Sequence, residues 1–150
     1  TQQIRSYYLP ITLDDNQKTF IRILDTPNLD YLQNNVEQIP EDTKLVILIY
    51  DKTNIQSFNC MNNYIELIRP RIKAKTIILG NKDDLNNSTV SYSVGKEKAK
   101  ELNADFYEIS VLKSTNIGMI CDLINFYINL NKIKIKKLIK IFFLFPEKLD

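Results

Sequence analysis

Short unbroken apolar runs alternate with longer amphipathic stretches along this 150-residue chain. Lys44 to Tyr50 and Thr76 to Leu79 are runs of the kind that parallel strands buried on both faces require, and Asp105 to Ile109 reads as a third. Tyr7 to Leu13 and Thr19 to Leu24 flank the turn cluster Asp14-Asp15-Asn16-Gln17 and predict a hairpin. Pro10 lacks an N–H, which confines the first of these strands to a sheet edge. Helical spacing fills the gaps. Thr53 and Gln56 have capping-box spacing ahead of a helix that stops before Pro70, and Ser93 to Leu102 and Asn116 to Leu130 supply two more. Residues 28–42, with Pro40, carry neither signal and read as a long irregular connection on the surface. The pattern is α/β, with a mostly parallel sheet, one antiparallel edge strand and no internal repeat.

Composition narrows the chemistry. A 44% hydrophobic content at this length supports one core, hence one small domain. The 20 basic and 18 acidic residues nearly cancel, so nothing points to nucleic acid. Residues 131–150, however, hold 6 lysines and 2 acids, a basic tail on a mildly acidic body. The absence of histidine removes His-based triads and most zinc sites. Cys60 and Cys121 fall in predicted helices and read as buried, reduced thiols of an intracellular protein. Without a secretory signal or a membrane-length apolar run, the expected location is cytoplasmic, soluble or peripheral.

The most specific chemistry lies at Gly80-Asn81-Lys82-Asp83-Asp84-Leu85, directly after the apolar run Thr76-Ile77-Ile78-Leu79. The end of a buried strand is where open α/β sheets bind ligands. An aspartate placed there accepts hydrogen bonds from both the ring N–H and the exocyclic amine of guanine, a pair that adenine does not present. Asn81 would hold the loop and the base edge, and Lys82 would lay its stem along the ring face. The plainer reading is a polar turn, where Asn and Asp are favoured for backbone reasons. Ser110 equally suits a turn cap before the last helix.

Three further segments resemble small GTPases of the Ras superfamily, in particular the Rab-like branch. Ile21-Arg22-Ile23-Leu24-Asp25-Thr26 is similar to that family's strand end and Asp-Thr. Tyr50-Asp51-Lys52-Thr53 through Ser57-Phe58 is similar to its Tyr-Asp-x-Thr-x-x-x-Ser-Phe segment. Glu108-Ile109-Ser110-Val111-Leu112 resembles the Glu-x-Ser-Ala-Lys or Ser-Ala-Leu loop that closes over the guanine oxygen. Four ordered motifs at family spacing carry the resemblance across about residues 4 to 130. It implies a P-loop-NTPase-like three-layer α/β fold and guanine binding by Asn81, Lys82, Asp84, Ser110, Val111 and Leu112. It also implies GTP or GDP with Mg²⁺ as cofactors, the ion held through water by Asp25. Its further implications are effectors or regulators meeting residues 1–42, and a role in vesicle traffic as a protein peripheral to endomembranes.

The same resemblance exposes departures. The family's first strand, Gly-x-x-x-x-Gly-Lys-Ser/Thr phosphate loop and first helix have no counterpart here, which makes the expected fold an incomplete one. Gly80, Gly95 and Gly118, the 3 glycines, cannot build a phosphate-cradling nest. Where the family reads Asp-Thr-Ala-Gly-Gln, this chain reads Asp25-Thr26-Pro27-Asn28-Leu29. Asn28 replaces the glycine that meets the terminal phosphate, and Leu29 stands where glutamine orients the attacking water. The expectation is weak phosphate binding, with hydrolysis absent or nearly so and no catalytic residue to name. Two alternatives stand beside it: a nucleotide-independent pseudo-GTPase interaction module, and a fragment of a complete GTPase.

The tail divides the chain into a truncated GTPase-like domain, 1–130, and a basic, apolar segment, 131–150. In the family the first strand is central, so its loss leaves a slot with unpaired backbone on both sides. Residues 138–145 have the composition to fill it. A basic amphipathic helix in contact with a membrane surface through 131–145 is a competing reading, as is a trailing end. The last five residues, Pro146 to Asp150, carry no cysteine for prenylation.

Overall fold

All 7 residues of Leu45–Asp51 are buried, because this strand lies between other strands and beneath helices on both faces. Side chains alternate across a strand, so the run splits between two cores. Val46, Leu48 and Tyr50 face one cluster with Leu24, Tyr64 and Ile65. Leu45, Ile47 and Ile49 face the other with Ile21, Ile77 and Leu79. The computed structural model describes residues 3–13, 16, 18–130 and 139–144, with backbone alone at 130 and 139–144.

The strands are β1 Arg5–Thr12, β2 Lys18–Thr26, β3 Leu45–Asp51, β4 Lys75–Asn81, β5 Asp105–Glu108 and β6 Ile139–Leu144. They form one sheet in the order β1-β2-β6-β3-β4-β5. The β1–β2 pair is antiparallel and every other pair is parallel. β1 is an edge, as Pro10 requires, and Pro10 lies opposite Phe20. The last of the described strands lies inside the sheet: Ile141 pairs with Ile23 of β2 and with Leu45 of β3. The predicted span 138–145 and the tail around it reach beyond the described residues at 131–138 and 145–150.

The helices are α1 Leu29–Gln33, α2 Ile55–Asn59, α3 Met61–Ile68, α4 Tyr92–Glu101 and α5 Ile117–Leu130. α1, α3 and α4 contribute Leu32, Met61, Ile68 and Ala99 to the first core. α5 covers the opposite face with Ile120 and Ile128, an i, i+8 stripe, flanked by Ile124 and Tyr127. The result is the mixed α/β fold that the pattern predicts, in the three layers that the family resemblance implies. None of the helices described is long and apolar enough to cross a membrane.

Several local expectations are corrected. Residues 28–42 are not irregular throughout: Asn28 caps α1 by accepting from Tyr31 N–H at 3.1 Å, and a 3-10 turn follows at Val36–Gln38. Leu32 and Ile39 are fully buried, which anchors the segment to the core. The cap of α2 is Asn54, whose side chain accepts from Gln56 and Ser57 N–H, whereas Thr53 turns back to Asp51. β5 is only half-buried along its length because it is the other sheet edge. Cys60 is half-buried and Cys121 is exposed, so the buried-thiol expectation fails for Cys121.

Tyr50 sets a packing constraint near the strand ends. A Cβ at Gly80 would stand 2.8 Å from Tyr50 Oη, and one at Gly95 would stand 2.7 Å from it and 2.5 Å from Phe106 Cζ. Glycine at both positions admits the phenol ring, which meets Phe58 edge-on at 5.1 Å between centroids. The Tyr50 hydroxyl is buried without a hydrogen-bond partner. Gly80→Ala is therefore expected to lower stability by about 1–3 kcal/mol through overpacking. Tyr50→Phe removes the orphaned hydroxyl, so it is expected to be neutral or stabilising and to relieve Gly80→Ala. Urea unfolding of the two single variants and the double variant measures both the sign and the coupling.

A candidate guanine-base site at the ends of β4 and β5

Parallel strands end together, and the carboxyl ends of β3, β4 and β5 bring three separated segments to one place. Ile109 N–H donates to Gly80 O at 2.8 Å and Asp83 N–H to Ile109 O at 3.1 Å, which sews the loop after β4 to the segment after β5. Two of the site residues predicted from sequence close the seam. Asn81, buried, accepts through Oδ1 from Val111 N–H at 3.1 Å. Ser110, fully buried, donates its hydroxyl to Asp84 Oδ1 and accepts from Lys113 N–H at 3.0 Å. Ser110 thus serves the turn and the aspartate at once, so its two sequence readings are compatible.

Asp84 keeps acceptor capacity. An ionised carboxylate offers about four lone-pair positions, and Ser110 occupies one. Two parallel N–H donors on the edge of a planar base match what remains. Val111 and Leu112 project apolar side chains, 60% and 80% exposed, beside this carboxylate's partner. Asn81, Asp84, Ser110, Val111 and Leu112 are therefore brought together.

Lys82 belongs to the same loop but is anchored sideways. Its φ of 67° lies in the left-handed region, which a residue with a Cβ occupies at a cost of about 1–2 kcal/mol. Its Nζ pairs with Asp51 Oδ2 at 2.6 Å. Asp51 Oδ1 accepts from Thr53 N–H at 2.8 Å and from the Thr53 hydroxyl at 2.7 Å. Burial works to raise the Asp51 pKa, but the hydrogen bonds from Lys82 and Thr53 outweigh it, and the net shift is downward. Because the folded value lies below the unfolded one, the stabilisation is complete above the unfolded value of about 3.9 and fades as pH falls through the folded value. Asp51→Asn is expected to lower stability at neutral pH and to flatten its decline between about pH 5 and pH 3, read by urea midpoints across that range.

Asp25 lies apart from this loop, in β2 opposite Arg5. Burial raises its pKa, partly countered by the Arg5 charge. Among the described residues no group of three acidic, histidine or cysteine side chains could hold a metal ion. The residues do not form an Mg²⁺ centre by themselves, and Asp25 offers one carboxylate only. Leu29, at the start of α1, packs against the first core.

Sequence reasoning missed a charge cluster built on the buried Lys52, with Glu108 largely covered and Asp83 exposed. Lys52 Nζ lies 2.5 Å from Asp83 Oδ1 and 2.7 Å from Glu108 Oε1, with its side chain 8% exposed. Burial pulls the ammonium pKa down, but the two carboxylates more than reverse it, so Lys52 stays charged. The one available signal was a lysine directly after a strand of otherwise apolar character.

Comparison with known proteins identifies the family. The model of the Ras family matches residues 1–128. Ras-like protein 1 of Saccharomyces cerevisiae is 32% identical, over 75% of this chain and 37% of its own length. GTP-binding protein ypt1 of Schizosaccharomyces pombe is 30% identical, over 75% of this chain and 61% of its own. Ras-like protein rasV of Dictyostelium discoideum is 34% identical, over 74% of this chain and 54% of its own. The chain thus spans between about a third and three fifths of the length of these curated relatives. With its sheet order, its four motifs and a family match covering most of its residues, the chain belongs to the Ras family, in the superfamily of small GTPases.

Proposed function

We propose that this protein is a Rab-like guanine-nucleotide-binding protein of membrane traffic that recognises the base through Asp84. The observation that carries this reading is the seam itself: Asn81 to Val111 and Ser110 to Asp84 join two loops 26 to 30 residues apart at one strand edge. A polar turn serving the backbone alone needs neither cross-loop bond. Asp84 accepts the two N–H groups of guanine, while Val111 and Leu112 flank the base. Adenine meets the same carboxylate with a ring acceptor, so the contact becomes repulsive. Base contacts alone, after the entropy of association, support affinity of about millimolar. A bound nucleotide would bring phosphate charge and its metal ion, with Asp25 contributing through water.

Hydrolysis is expected to be very slow or absent. Leu29 stands where the family resemblance implies the water-orienting glutamine, and its partly buried side chain packs against the first core instead. The neighbouring Asn28 is committed to capping α1. Of the stretch 131–145 expected to meet a membrane surface, residues 139–144 form β6 inside the sheet, so only the basic stretch before them is proposed as a peripheral membrane contact, and residues 1–42 as the surface for effectors or regulators. The hairpin favours the second of these, since Tyr7, Tyr8, Leu9 and Phe20 are about half exposed. β6 is proposed to take the central sheet position that precedes the phosphate loop in the family.

Titration with a fluorescent GDP analogue in Mg²⁺, competed with unlabelled GDP and ADP, tests the reading. Displacement by GDP at least tenfold better than by ADP is expected. Equal displacement, or no binding by the folded protein, would favour the nucleotide-independent module instead.

A further inference from the structure

We infer that Lys52 is the positioning residue that decides which of the two adjacent aspartates, Asp83 or Asp84, reads the base. This rests on the reading of the loop as a guanine site. Consecutive aspartates present two competing carboxylates, and the site works only if one is turned away. Lys52 Nζ holds Asp83 Oδ1 at 2.5 Å, while the carboxylate of the next residue, Asp84, meets Ser110 instead. The same ammonium lies 2.7 Å from Glu108 Oε1, two residues before Ser110. One buried cation thus ties the residue preceding Asp84 to the strand end that delivers its hydroxyl partner.

Lys52 is itself held on both sides of its backbone. Its N–H donates to Asn81 O at 3.1 Å, and its carbonyl accepts from Thr89 N–H at 2.8 Å and Val90 N–H at 3.2 Å. The Cα is therefore fixed relative to both β4 and the segment leading into α4. A buried ammonium facing two carboxylates tolerates little displacement, since each ion left without its partner keeps its desolvation cost. Lysine, with three donors on a compact head, suits two carboxylates from different loops.

The test compares Lys52→Met with Lys52→Arg and with the neutralised triple variant Lys52→Met/Asp83→Asn/Glu108→Gln. The first readout is the ratio of GDP to ADP affinity. The second, independent of any ligand, is amide exchange at Val111 and Lys113, whose N–H groups depend on Asn81 and Ser110. Lys52→Met is expected to lower the affinity ratio at least tenfold and to speed both amides at least tenfold, with Lys52→Arg intermediate. The triple variant, which buries no unpaired charge, is expected to regain thermal stability without regaining base preference. Full recovery of preference in the triple variant would reduce Lys52 to charge compensation and overturn the inference, as would unchanged readouts in Lys52→Met. If the wild type shows no preference for GDP while Lys52→Met still frees both amides, the guanine reading fails and the loop-holding role of Lys52 stands.

Discussion

Ile141→Pro should remove a large share of the folding stability of this protein. Ile141 lies in a strand with neighbours on both sides, paired with Ile23 and Leu45. Proline there deletes a ladder donor, leaves a neighbouring carbonyl unsatisfied in the sheet interior and forces its ring against the adjoining backbone. Together these cost about 2–5 kcal/mol, against a total of about 5–15 kcal/mol for a domain. Pro10 is the internal control, because the same residue type is accommodated on the edge strand β1. Urea unfolding followed by circular dichroism should show a large fall in midpoint for Ile141→Pro and little change for Ile141→Val. Equal midpoints for Ile141→Pro and the wild type would mean that β6 is not an integral strand, and would return the tail to the amphipathic or trailing alternatives.

The second large effect is expected at Asp84. Asp84→Ala removes the acceptor for two charge-assisted hydrogen bonds of about 1.5–3 kcal/mol each. A loss of about 3 kcal/mol or more corresponds to about a hundredfold lower guanine affinity. Because adenine gains nothing from Asp84, the variant should bind the two purines about equally. Asp84→Ala also frees the buried Ser110 hydroxyl, so its folding stability must be measured alongside. A variant that keeps its guanine preference would move base recognition away from this loop altogether.

The sequence made β3 and β4 legible because strands covered on both faces leave no polar position to interrupt an apolar run. It did not reveal that β5 is an edge, since four residues are too few to show whether one face is wet. α1 was hidden for a related reason: a helix of 5 residues has no full apolar period, and its signal is the single cap Asn28. The placement of Asn81, Asp84 and Ser110 was readable because each ends a strand or begins the loop after one. The cluster of Lys52, Asp83 and Glu108 was not, because pairing across 31 residues leaves no periodic trace and appears only when three strand ends meet. The pairing of the Lys82 ammonium with Asp51, from a residue with left-handed backbone, was not readable from the sequence, which suggested only that the lysine's stem lies along the ring face.

Under the proposed function, the loops after β4 and β5 distinguish guanine from adenine without relying on phosphates. The most direct test is an NMR titration of the isotopically labelled protein with guanosine and, separately, adenosine, up to about 10 mM given the millimolar affinity expected for a base alone. Saturable shifts of Asn81, Lys82, Asp84, Ser110 and Val111 are expected with guanosine, while β1 stays unperturbed and adenosine leaves the loop unchanged. Identical responses to the two nucleosides, or shifts confined to residues away from these loops, would contradict that function.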